Sequence, residues 1–105
     1  MGILGRIYKD LGIGLYVMPE KTKREGYIGL STYYENKPVV FVDTERSKWT
    51  KQLTAAHELA HILFGHLSGS FDSDIAEDEA RTFSCVFTAL MLYDEYREEA
   101  EKCKK

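Results

Sequence analysis

The sequence predicts an α+β fold in which a small antiparallel β-sheet of about three strands packs on two long helices. Three observations lead to this fold class. The chain has 105 residues, which suits a single domain spanning residues 1–105. Apolar and β-branched runs of strand length fall in the first half of the chain. Apolar residues at helical spacing fall in the second half.

The first part of the domain, residues 1–46, is predicted to hold a short helix and the strands. Residues 3–11 suit the helix, residues 13–18 suit a first strand, and residues 20–25 are charged and suit a loop. Residues 27–34 are rich in aromatic and β-branched side chains, which favours a second strand.

A hairpin is predicted to follow the second strand. Residues 35–38 (ENKP) supply turn chemistry, and residues 39–42 (VVFV) form a continuous apolar run of strand length. Two strands joined by a short turn pair antiparallel, so the predicted sheet is antiparallel.

Two long helices are predicted to complete the domain. The first spans residues 47–66, with apolar side chains at helical spacing and Gly65 as a typical terminator. Residues 67–73 are rich in Ser, Gly and Asp and predict a loop. The second helix is predicted over residues 74–102. It ends in a charged tail, and its apolar face is made of Ala80, Phe83, Phe87, Leu90 and Met91.

Composition argues against several classes of protein. The net charge is −3, whereas a dedicated nucleic-acid binder usually carries a basic face, so direct nucleic-acid binding is not expected. Cys85 and Cys103 make neither a disulfide framework nor a Cys-x-x-Cys metal knuckle, and Cys85 is expected in the core. No apolar run approaches the roughly 20 residues of a membrane span. A cytoplasmic location without a membrane partner is expected, because this cysteine usage suits a reducing compartment.

The motif that carries chemistry is His-Glu-x-x-His at residues 57–61. Residues four apart on a helix project from one face, one turn apart, so His57 and His61 can bind the same metal ion. Glu58 projects beside that ion, where it can act as the general base on an attacking water. The motif therefore predicts zinc as cofactor and peptide hydrolysis as the reaction. The alternative is a helix whose histidines bind no metal.

A catalytic zinc usually takes three protein ligands, so one ligand must come from elsewhere. The metzincin pattern would need Gly at position 64 and His at position 67, but Phe64 and Leu67 stand there. The other source is a carboxylate of the second helix, and the candidates are Glu77, Asp78 and Glu79. Asp74 and Glu77 also have the spacing of a helix-capping box, which would give Glu77 a purely structural role. Helical spacing leaves Glu77 and Glu79 open, because both flank the apolar face.

Residues 53–66 (LTAAHELAHILFGH) and residues 77–83 (EDEARTF) resemble the ImmA/IrrE zinc metallopeptidases, a gluzincin-like family. The resemblance implies a minimal zincin-like core. It also implies that the first Glu of a Glu-x-x-Ala-Asn-x-Phe-Ala segment is the third zinc ligand. On this chain that residue is Glu77, with Ala80 and Phe83 in register.

Other polar residues are predicted to lie around the ligands. Arg81 stands where the family usually has Asn or Asp, a position expected to support the ligands from outside. His66 follows the motif helix directly, and Asp72 or Asp74 is suited to accept a hydrogen bond from a ligand histidine. Glu79 stays the alternative third ligand.

The resemblance also implies a biological role. Such metalloendopeptidases act on a protein partner supplied in trans, such as a helix-turn-helix transcriptional repressor, often in a mobile element or stress-response locus. Two other interpretations stay open. The domain could be a zinc-binding regulatory module that binds a repressor without cleaving it, or a metal-free interaction domain. The intact Glu58 argues against the module, because a structural zinc site has no need of a general base.

Overall fold

Helices and strands alternate along the part of the chain that the computed structural model describes, residues 2–68 and 73–103. Their order is α1 (Gly2–Asp10), β1 (Gly14–Val17), α2 (Glu20–Arg24), β2 (Gly29–Tyr34), β3 (Lys37–Val42), α3 (Lys48–Leu63), a 3₁₀ turn (His66–Ser68) and α4 (Ser73–Cys103). A three-stranded sheet with helices packed on it confirms the predicted α+β class.

The sheet has the strand order β1-β3-β2. Strands β2 and β3 form the predicted antiparallel hairpin, in which Tyr34 lies opposite Lys37. Glu35 and Asn36 make the tight turn between them, and both have positive φ angles, of 50° and 66°. Two such residues in a two-residue loop match the twist of the flanking strands.

Strand β1 pairs with β3 in parallel, beginning with Gly14 opposite Val39. The prediction of an antiparallel sheet is therefore wrong for this strand pair. The chain leaves β1, passes through α2 and enters the far edge of the sheet as β2, so the hairpin returns β3 to the centre in the direction of β1. The apolar run at residues 39–42 suits this central place, because a strand paired on both sides is shielded from solvent.

Residues 20–25 were expected to form a loop, but Glu20–Arg24 is a short helix. Pro19 precedes it with a φ of −62°, which suits a helix start. Glu20 lies in its first turn and three basic residues lie in its last turn. These charges interact favourably with the helix dipole and so stabilise the helix. A charged segment of this length is compatible with a loop or a helix, so composition did not decide between them.

The core lies where α1, α3 and the sheet meet. Tyr8 of α1 is 3 % exposed, and its hydroxyl donates a 2.6 Å hydrogen bond to the carbonyl of Ala55 on α3. Leu59, on the face of α3 that turns away from solvent, is completely buried. The buried cluster consists of Leu4, Tyr8, Ile13, Val40, Val42, Ala55 and Leu59. Helix α3 is therefore held on one side by the sheet and α1, and this fixes where its polar residues point.

Helix α4 covers the other side of α3. Its buried residues, Ala76, Ala80 and Ser84, are small and four residues apart, so the two helices can approach closely. Cys85 is exposed, contrary to expectation, because it follows Ser84 by one position and is rotated about 100° from the buried stripe. Leu90, predicted on the apolar face, is also exposed, whereas Phe87 and Met91 on either side of it pack against the core. Within residues 2–68 and 73–103, no helix is long and apolar enough to cross a membrane.

Candidate metal centre

Helix α3 presents the His-Glu-x-x-His motif on a well-defined helical turn. Ser47 caps the helix start by accepting a hydrogen bond from the backbone N–H of Thr50. His57 and His61 lie one turn apart, and their ring centroids are 4.9 Å from each other. The side chain of His57 is 25 % exposed and that of His61 is 11 % exposed. Both imidazoles therefore face one cleft, with His61 deeper inside it.

Glu77 of α4 meets both histidines. Its Oε2 lies 3.1 Å from His57 Nε2, and its Oε1 lies 3.0 Å from His61 Nε2. The two Nε2 atoms lie 3.2 Å from each other. Among the described residues, these three are the group of His, Cys, Asp and Glu side chains whose ligand atoms converge within 4.8 Å. The carboxylate of Glu77 thus points at the imidazoles, and the helix-capping interpretation is not needed to explain it.

The donor spacing suits a metal of zinc's size. Atoms bonded tetrahedrally to one zinc ion at about 2.0–2.1 Å lie about 3.3 Å apart. The contacts of 3.0–3.2 Å among the two Nε2 atoms and Glu77 are close to that value. Burial lowers the pKa of His61, although Glu77 counteracts this in part, and a neutral imidazole is the form that binds metal. Two imidazoles and a carboxylate are also a donor set found in catalytic zinc sites.

Glu58 lies beside this group and is 8 % exposed. Its Oε1 accepts a 2.7 Å hydrogen bond from the hydroxyl of Ser31 on β2. Burial raises the pKa of Glu58, while the Ser31 hydrogen bond and the nearby His57 act in the opposite direction. A carboxylate with a raised pKa is a better proton acceptor near neutral pH than an ordinary one.

Gly29 explains how Glu58 and the sheet come so close together. A Cβ atom at this position would lie 3.0 Å from Glu58 Oε2 and would collide with the Cγ2 methyl of Thr54. Only glycine therefore lets the start of β2 pass over α3 without displacing these side chains. Sequence reasoning identified neither Gly29 nor Ser31. No local motif marks them, because their role depends on which helix the strand crosses.

The other residues predicted around the ligands lie in different places. His66 contacts His61, with 2.9 Å between the two Nδ1 atoms, and Glu79 contacts His66 Nε2 at 3.2 Å. Glu79, the alternative third ligand, is thus next to His66 rather than next to the histidine pair. Arg81 is exposed and pairs with Asp78 at 3.7 Å. Asp74 is exposed in the first turn of α4, and Asp72 lies outside the described residues.

The three donors and Glu58 line a cleft of about 640 Å³. The residues at the start of β2, together with α3 and the first turn of α4, form its walls. Since β2 is an edge strand, one side of its backbone is not paired within the sheet. An extended peptide can add to such an edge by backbone hydrogen bonds.

The comparison with known proteins agrees with this geometry. The model of the Peptidase_M78 family, described as the IrrE N-terminal-like domain, matches residues 9–104. The chain belongs to this family. The resemblance predicted from residues 53–66 and 77–83 is therefore confirmed. No curated protein and no solved structure gives a significant match to the chain.

Membership of the IrrE N-terminal-like family supports a metallopeptidase type of domain. The family and the His57, His61 and Glu77 group together indicate a metal cofactor. The match begins in α1 and reaches beyond the end of α4, so it includes both helices that carry this group.

Proposed function

We propose that this IrrE N-terminal-like domain is a zinc-dependent metalloendopeptidase that cleaves a peptide bond of a protein partner. The observation that carries the proposal is the convergence of two imidazoles and a carboxylate with Glu58 beside them. A structural zinc site is closed by four protein ligands and needs no general base. Three donors with a carboxylate beside them, in an open cleft, are what catalysis requires.

Five polar residues of the cleft have a task in this mechanism. His57, His61 and Glu77 would hold the zinc, which would supply Lewis acidity and would lower the pKa of water toward about 7. Glu58 accepts a proton from the attacking water and donates it to the leaving amine of the cleaved peptide bond. Ser31 donates its hydroxyl to Glu58 Oε1 and so holds the carboxylate in one orientation while the proton moves.

The edge of β2 suits a substrate that binds as an extended strand. Its first residues line the same cleft as His57 and Glu58, so a peptide added there would pass the catalytic group. Such a substrate must offer an unfolded or locally unfolded segment. The family resemblance makes a helix-turn-helix transcriptional repressor, supplied in trans, the partner that we propose.

Metal analysis and a cleavage assay test this function. We expect about one zinc per chain in the purified protein, lost in His57→Ala. Glu58→Gln should keep the zinc but lower the cleavage rate of a candidate repressor by about 10²–10⁴-fold. Asp78→Asn is the matched control, since it also neutralises a single carboxylate but lies exposed with Arg81 as its partner.

Two results would contradict the proposal. Wild-type cleavage by Glu58→Gln would remove its role as general base. Tight binding of the repressor without cleavage would favour the zinc-binding regulatory module if a chelator abolishes the binding, and the metal-free interaction domain if a chelator leaves it unchanged.

A further inference from the structure

His61 uses its two ring nitrogens in opposite directions. Its Nε2 faces His57 and Glu77, whereas its Nδ1 lies 2.9 Å from Nδ1 of His66. The other ring nitrogen of His66, Nε2, lies 3.2 Å from Glu79 Oε1. A continuous line of contacts therefore runs from Glu79 through His66 to His61, behind the group that we propose to bind zinc.

The fold holds His66 in this line. Gly65 has a φ of +73°, a left-handed conformation that reverses the chain at the end of α3. The reversal brings His66 back against the last turn of the helix, where its side chain is only 3 % exposed. The ring of Phe64 stacks on that of His66, with 5.5 Å between centroids and 20° between planes. A buried, stacked imidazole has little freedom to turn.

One arrangement of protons along the line is compatible with a metal held by Glu77 and by Nε2 of His61. A carboxylate oxygen accepts hydrogen bonds, so an N–H on Nε2 of His66 satisfies the contact with Glu79 Oε1. A neutral imidazole carries one N–H, which leaves Nδ1 of His66 as an acceptor. Two nitrogens 2.9 Å apart need one proton between them, so Nδ1 of His61 must carry it. With a metal bound, Nε2 of His61 would carry no proton and would offer its lone pair to the ion, while Glu77 would offer its carboxylate to the same ion.

We propose that His66, backed by Glu79, is a positioning residue that sets the tautomer and ring orientation of His61 for zinc binding. This inference rests on the proposed function, because it assigns His61 to a metal. Ligand histidines commonly donate their second N–H to a carboxylate or carbonyl oxygen. Here the acceptor is a second histidine, and the carboxylate acts one step farther away.

Three variants of the full chain separate this role from simple packing. His66→Phe keeps an aromatic ring to stack on Phe64 but removes the acceptor. His66→Asn offers a side-chain oxygen where Nδ1 was, so it restores the acceptor without the ring. Glu79→Ala removes the partner of His66. Asp78→Asn, one position before Glu79 and exposed, is the matched control.

Zinc affinity, measured by competition with a chromophoric chelator, is the first readout. His66→Phe should raise the zinc Kd by about 10–100-fold, the usual effect of losing a group that supports a ligand. Glu79→Ala should raise the Kd less, and His66→Asn should recover most of the loss. Asp78→Asn should bind zinc like the wild type. Circular dichroism of the metal-free proteins checks that each variant is folded.

The second readout is the nitrogen protonation pattern of the zinc-loaded protein in ¹⁵N-histidine NMR spectra. We expect protons on Nδ1 of His61 and on Nε2 of His66. An unprotonated Nδ1 of His61 would overturn the inference, and so would a folded His66→Phe variant with the zinc Kd of the wild type. Either result leaves the proposed function intact if the wild type still binds zinc. A wild-type chain that binds no zinc would overturn both.

Discussion

Replacing Gly29 by Ala tests the close approach of β2 to α3. The added Cβ would collide with the Cγ2 methyl of Thr54 and would lie 3.0 Å from Glu58 Oε2. Thr54 cannot easily yield, because it is 6 % exposed and its hydroxyl donates a 2.7 Å hydrogen bond to the carbonyl of Thr50. The collision should therefore displace the strand, the Glu58 carboxylate or both.

The size of the effect follows from two opposing contributions. Overpacking a well-packed site costs about 1–3 kcal/mol of stability. Replacing glycine by alanine returns about 0.4–1 kcal/mol, because the unfolded chain loses conformational freedom. Because the new Cβ would lie far inside van der Waals contact with the Thr54 methyl, the cost should fall at about 2–3 kcal/mol. The net loss should then be about 1–2.6 kcal/mol, which lowers the Tm of a domain of this size by about 4–20 °C. Cleavage should fall as well, since the carboxylate of Glu58 is pushed from its place beside Ser31.

A double-mutant cycle with Thr54→Ser gives the sharpest assay. This change removes the Cγ2 methyl that the new Cβ would meet but keeps the hydroxyl bonded to Thr50. The Tm of Gly29→Ala should therefore be lowered less in the Thr54→Ser background, with a coupling free energy of about 0.5–3 kcal/mol. Additive effects, or a Gly29→Ala variant as stable as the wild type, would refute the steric argument.

Two further predictions concern stability. Leu59→Ala removes a completely buried side chain within the motif and should lower the free energy of unfolding, measured in urea, by about 2–5 kcal/mol. Leu63→Ala, at a half-exposed position of the same helix, should lower it far less. Equal losses would contradict the placement of the core. The second concerns Asp43, whose pKa is lowered by the hydrogen bond from the Glu45 backbone N–H and by the Arg46 guanidinium. Its stabilisation is present above the unfolded pKa of about 3.9 and is lost as pH falls through the lower folded pKa. Asp43→Asn should therefore lower Tm most near neutral pH, and the difference should disappear in acid; a difference independent of pH would speak against this ion pairing.

Local sequence patterns predicted the site best where its residues lie on a single helix. His57 and His61 share a face of α3 because they are four residues apart on a segment whose periodicity is helical. The end of that helix at Leu63, two residues before Gly65, and the hairpin of β2 and β3 also follow from neighbouring residues. Periodicity and turn chemistry act over a few residues, so they can be read without knowing the rest of the fold.

Contacts between residues far apart in the sequence were harder to predict from the sequence. Glu77 and Glu79 both flank the apolar face of α4, and only the packing of α4 on α3 brings Glu77 to the imidazoles and Glu79 to His66. The parallel pairing of β1 with β3 depends on where the chain crosses after α2. Both outcomes depend on how separate helices and strands pack on one another. The periodicity of apolar residues within one element does not specify that packing.

The sequence by itself determined the family, the α+β class and the pair of imidazoles on one helical turn, because each of these is expressed in residues close together along the chain. Tertiary structure decided which carboxylate joins that pair, and it brought Ser31 against Glu58 across 27 positions. The physical reason is range. A helical turn is specified by hydrogen bonds between near neighbours, whereas the cleft exists only once the sheet and both helices have buried their apolar faces against one another.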